Sequence, residues 1–153
     1  MQAQLISREN RTPKILAQLI RVWESSVNET HHFLSAEETQ QIKPDAMAAL
    51  KFVSTLVVMF DTEHSPIGFM GIDKNQLEML FVASGHRGQG IGKQLIQLGI
   101  VKYGVTQTTV NEQNTQALAF YKHLGFQTVK RFPTDDQGRP YPLLEMKLIS
   151  FIQ

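Results

Sequence analysis

Between residues 54 and 82 three β-rich runs follow one another: "STLVVMFD", "IGFMGID" and "QLEMLFV". Only the turn signals "DTEHSP" and "KN" separate them. Connections this short cannot carry the chain to a parallel neighbour, which needs a crossover of a dozen or more residues. The three runs therefore form an antiparallel meander, and the rest of the chain must pack around it.

Upstream, "AQLIS" reads as a short strand. Thr12-Pro13 opens a helix, with Pro13 at its first position, and Ile15, Leu16, Leu19, Ile20 and Trp23 follow at helical spacing. "VNETHHFL" breaks the pattern. Ser35 and Glu38 form a capping box for a second helix, which Pro44 is expected to break or restart. Downstream, a helix carries Ile91, Leu95, Leu98 and Val101 as its buried stripe, and "GVTQTTVN" is a strand. "TQALAFYKHL" is a helix ending near a left-handed cap at Gly125. "FQTVKRF" and "YPLLEMKLI" are strands joined by "PTDDQGRP". The order β-α-α-β-β-β-α-β-α-β-β is that of a mixed α/β, or α+β, domain.

Composition narrows the class of partner. Fifteen basic and fourteen acidic residues leave a net charge of +1, which argues against a protein built to coat nucleic acid. There are no cysteines, so no disulfide and no thiolate metal site, as suits a reducing compartment. The first residues, "MQAQLISRENRTP", lack the apolar core of a secretory signal. No apolar run approaches the roughly 20 residues of a membrane span. The expectation is a soluble cytoplasmic protein with one domain over residues 1–153.

Four glycines, Gly85, Gly88, Gly90 and Gly92, crowd the junction between the third β run and the next helix, in "SGHRGQGIGKQL". A Walker loop would need Gly at Arg87 and Ser or Thr at Gln94. A dinucleotide fingerprint would need Gly at Lys93 and an acid near Val110. The spacing that fits is R-x-x-G-x-G: Arg87, Gly90, Gly92. Loop N–H groups and a helix N-terminus can then converge on a pyrophosphate.

This loop resembles the pyrophosphate motif of the GNAT superfamily of acetyl-CoA-dependent N-acetyltransferases, which follows the family's fourth strand and opens its third helix. A second segment, "VNEQNTQALAFYKHLGF", resembles the family's second cofactor motif through Asn111, Asn114, Ala117, Phe120, Tyr121, Gly125 and Phe126. Within the superfamily, "WESSVNETHHFL" and "GRPYPLLEM" resemble a bacterial subgroup, the YjaB type. Ser84 is a departure, since many relatives carry Pro there.

The resemblance covers essentially the whole chain. It implies a GNAT-like fold, a central mixed and mostly antiparallel sheet of about six or seven strands flanked by about four helices. It implies acetyl-CoA as co-substrate, with no metal. The pyrophosphate falls on Arg87, Gly88, Gln89, Gly90, Ile91, Gly92 and Lys93. The pantetheine arm falls on the main chain of Leu80, Phe81 and Val82 and on Asn114. Tyr121 falls near the thioester sulfur. Asn114 also fits a helix N-cap, and Tyr121 a core packing role.

Direct transfer to an amine needs a base and a proton donor for the leaving thiolate. Glu78, a lone acid in an apolar strand, is the candidate base; a solvent-facing or salt-bridged Glu is the plain alternative. Simple alternation puts Glu78, Leu80 and Val82 on one face and Leu77, Met79 and Phe81 on the other. Tyr121 is the candidate acid. His31, His32, Phe33 and Tyr141 are candidates for the acceptor pocket; capping or packing competes for the histidines. Arg139 either meets an acidic acceptor or is solvated.

The acceptor is a primary amine of a small molecule or a peptide, and the protein a monomer or homodimer with neither nucleic acid nor membrane as partner. The alternative is a non-catalytic coenzyme A sensor or interaction domain on the same fold.

Overall fold

The computed structural model describes residues 1–150. Seven strands form one sheet in the order β1-β2-β3-β4-β5-β7-β6. They are β1 (Gln2–Leu5), β2 (Thr55–Phe60), β3 (Pro66–Asp73), β4 (Gln76–Val82), β5 (Gln107–Asn111), β6 (Phe126–Phe132) and β7 (Leu143–Leu148). Neighbours run antiparallel except β4 and β5, which are parallel. The four α-helices are α1 (Pro13–Thr30), α2 (Ala36–Phe52), α3 (Ile91–Tyr103) and α4 (Thr115–His123). Both the meander and the GNAT-like architecture expected from sequence are present.

Each face of the sheet buries its own core. Leu56, Val58 and Phe60 of β2 pack with Leu19, Trp23 and Leu50 of α1 and α2. Val57 and Met59 point the other way, against Leu95 and Ile96 of α3, Tyr121 of α4 and Leu124 at its C-cap. The period of two in "LVVMF" thus sorts one strand between two helical layers.

Three details of the sequence reading are corrected. Helix α1 continues through Val27–Thr30 before "HHFL" ends it. Helix α2 runs unbroken through Pro44. Pro44 and Gln40 are both exposed, so the carbonyl of Gln40 that loses its partner faces solvent and the cost of the missing N–H stays small. On α3 the buried residues are Ile91, Leu95, Ile96 and Gly99, while Val101 is 70 % exposed. Ten residues at 100° each carry Val101 about 80° off the Ile91 direction, out of the stripe.

The junction of α1 and α2 rests on an arginine with no motif around it. Arg11 is buried. Its Nη1 donates to the carbonyls of Leu50 (3.3 Å), Lys51 (3.0 Å) and Val53 (2.7 Å), at the C-terminus of α2. These carbonyls lack helical partners, and a cation there also opposes the helix dipole. Arg11→Met should lower stability by about 2–4 kcal/mol, several charged hydrogen bonds being lost at once. Urea unfolding checks this; an unchanged midpoint would mean the bonds contribute nothing net.

Candidate active site

A parallel pair that separates creates the site. Strands β4 and β5 pair only at Gln76 with Gln107 and Leu77 with Thr108. Beyond Leu77 the two edges diverge, while β5 stays paired to β7 along its length. The gap is a cleft of about 390 Å³ in the middle of the sheet.

A bulge in β4 sets what faces this cleft. Opposite β4, Gly71 pairs with Met79 and Ile72 with Leu77, so Glu78 has no partner on β3. The extra residue resets the alternation. Leu77 consequently shares the α3–α4 face with Leu80 and Val82, and Met79 and Phe81 face α1 and α2. The sequence expectation had put Leu77 with Met79 and Phe81 and Glu78 with Leu80; a period-two reading cannot register an inserted residue. Glu78 lines the cleft. The residue is exposed overall, yet the desolvation it does have, with Asp73 and Asp136 adding to it, raises its carboxyl above the ordinary carboxylate range.

One end of the cleft is the glycine loop. Gly88 (φ 78°) and Gly90 (φ 79°) adopt the left-handed conformation, which a side chain resists. Gly90 is the N-cap of α3 and offers no side-chain cap. The first N–H groups of the helix therefore remain free to meet an anion. Arg87 and Lys93 line the same end. Arg87 reaches over the opening to Gln116 Oε1 on α4, 3.0 Å away. At Ser84, where Pro would have no N–H, the backbone N–H donates to Ser25 Oγ of α1 at 3.3 Å. Here a hydrogen bond anchors the loop in place of a ring.

Helix α4 supplies the other wall. Asn114 caps it, Oδ1 accepting from Ala117 N at 3.1 Å. Its Nδ2 lies 3.4 Å from His31 Nε2, so both ends of the amide already have protein partners. Two turns on, Tyr121 is 6 % exposed and lines the cleft, its ring edge-on to Phe120 and Phe126. Burial pushes the phenol well above its ordinary range, and the neighbouring Thr108 hydroxyl opposes the shift. The phenol thus stays protonated at neutral pH.

The predicted residues divide in two. Glu78, Leu80, Phe81, Val82, Arg87, Gly88, Gly90, Ile91, Gly92, Lys93, Asn114, Tyr121 and His31 line one cleft. Gln89, His32, Phe33 and Tyr141 lie outside that lining. Phe33 bridges His31 (ring centroids 5.3 Å apart) and Tyr141 (6.1 Å). The Tyr141 hydroxyl donates to Glu38 Oε2, and Arg139 pairs with Asp45 at 2.9 Å. The segment joining β6 to β7 is thereby fastened across α2, and Arg139 is an ion-pair partner within the chain. Trp23 belongs to the core.

Sequence reading missed Ser26, Thr30, Thr108 and Gln116, which also line the cleft. Thr30 immediately precedes His31 and Ser26 lies one turn before Thr30 on the same face of α1, so continuing the helix to Thr30 would have found them. Thr108 and Gln116 carry no local signal.

Comparison with known proteins identifies the family and the fold. The sequence model of the "Acetyltransferase (GNAT) domain" matches residues 18–148. A peptidyl-lysine N-acetyltransferase YjaB of Salmonella typhimurium is 39 % identical over 128 residues, 84 % of this chain and 88 % of that protein. The solution structure of apo-form YjaB from Escherichia coli superposes with a TM-score of 0.81 at 33 % identity, covering 98 % of this chain and 99 % of that one. The crystal structure of the Paia N-acetyltransferase of Thermoplasma acidophilum in complex with coenzyme A shares the fold, with a TM-score of 0.66 at 22 % identity over 96 % and 99 % of the two chains.

Proposed function

This chain belongs to the GNAT acetyltransferase family, and from that premise we propose that it transfers an acetyl group from acetyl-CoA to the side-chain amine of a lysine in a peptide or protein. The observation that carries the reading is the cleft itself. Its glycine loop and free helix N-terminus lie at one end, and Glu78 and Tyr121 line the same space.

The loop fits a pyrophosphate. Left-handed Gly88 and Gly90 turn backbone N–H groups outward without a Cβ in the way, and Arg87 and Lys93 add positive charge. The unpaired edge of β4 from Leu80 to Val82 suits an extended amide-bearing arm, which hydrogen-bonds like an added strand. Acetyl-CoA brings the activated acetyl group as a thioester.

Glu78 holds the acceptor's proton. A lysine amine has a pKa of about 10.4 and is mostly charged at neutral pH, so a cleft carboxylate helps bind it and draw off its proton. The backbone N–H of Val82, which the β3–β4 register turns away from β3, polarises the thioester carbonyl. Tyr121 donates to the leaving sulfur.

Because partial desolvation raises the Glu78 carboxyl, the rate should climb with pH above the ordinary carboxylate range as that group loses its proton. Glu78→Gln should lower kcat by about 10²-fold and abolish this limb, leaving coenzyme A affinity nearly unchanged. An identical pH–rate profile would remove Glu78 from the mechanism.

A small primary amine is the second reading for the acceptor. One observation favours it: Phe33, Tyr141 and Glu38 join the α1–α2 connection to the β6–β7 connection beside His31 of the cleft, which suits a bounded acceptor site. The YjaB relative's description as a peptidyl-lysine N-acetyltransferase supports the peptide reading. A thiol-release assay over lysine peptides and free amines decides. Peptide turnover with idle small amines supports the first reading, the reverse supports the second, and no turnover with either contradicts both.

A further inference from the structure

We propose that His31 is a neutral positioning residue whose ring pins the start of α4 across the cleft, and not a base for the reaction. The proposal rests on the acetyltransferase reading for its kinetic consequences. Its structural content stands on the resting protein alone.

The hydrogen bonds determine their own direction. Thr30 Oγ1 lies 2.8 Å from the carbonyl of Ser26, which can only accept, so the hydroxyl proton is spent there. His31 Nδ1, 2.8 Å from the same Oγ1, must then carry the proton and donate it. A neutral imidazole has one donor and one acceptor nitrogen, so Nε2 is bare. It faces Asn114 Nδ2 at 3.4 Å. The Asn114 amide cannot be turned round, because its oxygen accepts from Ala117 N–H at the head of α4. Donation thus runs one way from each end of the amide: Asn114 Nδ2 to His31, His31 to Thr30, Thr30 to Ser26. Helix α1 is tied to the first turn of the helix that carries Tyr121.

Protonation would break this chain. A second N–H at Nε2 would meet the NH₂ of Asn114 head-on, donor against donor. The surroundings oppose it as well: burial, then the charges of Arg87 and His32, lower the imidazole pKa to about 4. Arg87 is itself held near α4 by Gln116. With Nδ1 already protonated and the Nε2 lone pair engaged, His31 has no free site from which to take a proton from the acceptor. Its contribution is to fix where α4 begins, and through α4 the phenol two turns on. A misplacement of the order of 1 Å at a reacting group can cost about 10²-fold in rate.

The test has two arms. Long-range ¹H–¹⁵N correlation spectra of the wild-type protein should show His31 as the Nδ1–H tautomer, neutral from pH 8 down to about 5, as expected for a pKa of about 4. An Nε2–H tautomer, or titration near the free-histidine value of about 6.5, would overturn the proposal. This arm requires neither activity nor a variant, so it fails separately from the acetyltransferase reading. In the second arm His31→Leu removes the acceptor, and His31→Gln restores a carbonyl oxygen near the Nε2 position. The Leu variant should lose roughly 10-fold or more in kcat with its pH–rate limbs unmoved, and the Gln variant should regain most of that loss. A displaced limb, or a Gln variant as impaired as the Leu one, would show that the ring acts by titrating.

Discussion

Tyr121→Phe is expected to lower kcat by about 10²–10⁴-fold, the usual contribution of a positioned general acid. The fold should survive, because the ring keeps its edge contacts with Phe120 and Phe126 and only a hydroxyl goes. Burial raises the phenol's pKa, which keeps the donor loaded across the working range. An ordinary phenol, with a pKa of about 10, is already a weaker acid than a free thiol at about 8.5, and the shift widens that gap. The hydroxyl therefore acts by bonding to charge as it develops on sulfur, an interaction stronger in the transition state than in the ground state. Acetyl-CoA affinity should consequently change little. Steady-state kinetics on the folded variant checks this. A wild-type rate would make Tyr121 a packing residue.

Gly90→Val should weaken coenzyme A binding by about 5–30-fold, corresponding to the roughly 1–2 kcal/mol that a left-handed backbone costs a side chain. A Cβ at Gly90 would meet no protein atom within 4 Å, so crowding within the protein is not the cause. In the valine variant the unliganded loop should relax out of the φ of 79° that Gly90 adopts, and binding must then restore it with a valine standing over the approach to the N-terminus of α3. Gly85 is the control. Its Cβ position is equally open and its φ is not left-handed, so Gly85→Ala should bind normally. Calorimetry on both variants distinguishes the backbone requirement at Gly90 from general sensitivity of the loop; equal affinities would remove the loop from the site.

Most of the fold could be read in the sequence because its signals are local. Short turns fixed the meander, Ser35 and Glu38 announced α2, and Thr12-Pro13 announced α1. The misreadings share one physical origin, in that a periodic pattern does not report an exception to its own period. The bulge at Glu78 shifts Leu77 to the other face without altering the residue types. Pro44 stays within a helix because its orphaned carbonyl faces solvent, which only tertiary placement decides. Motif spacing located the glycine loop and Tyr121. It could not locate Thr30, Thr108 or Gln116, which reach the cleft only when separate elements are brought together. Nor could it show that Asn114 is engaged at both ends of its amide. The sequence presented Asn114 as a cap or a cofactor contact; the cap is present, the tie to α1 is added to it, and the side chain still lines the cleft.

The central claim is that the split between β4 and β5 is where acetyl transfer takes place. A crystal structure of the wild-type protein with coenzyme A bound tests it most directly. The pyrophosphate should lie against the backbone N–H groups of residues 88–93, the pantetheine arm along Leu80–Val82, and the thiol within hydrogen-bonding reach of the Tyr121 hydroxyl. Coenzyme A bound outside this cleft, or seated in it with the thiol turned away from Tyr121, would contradict the account.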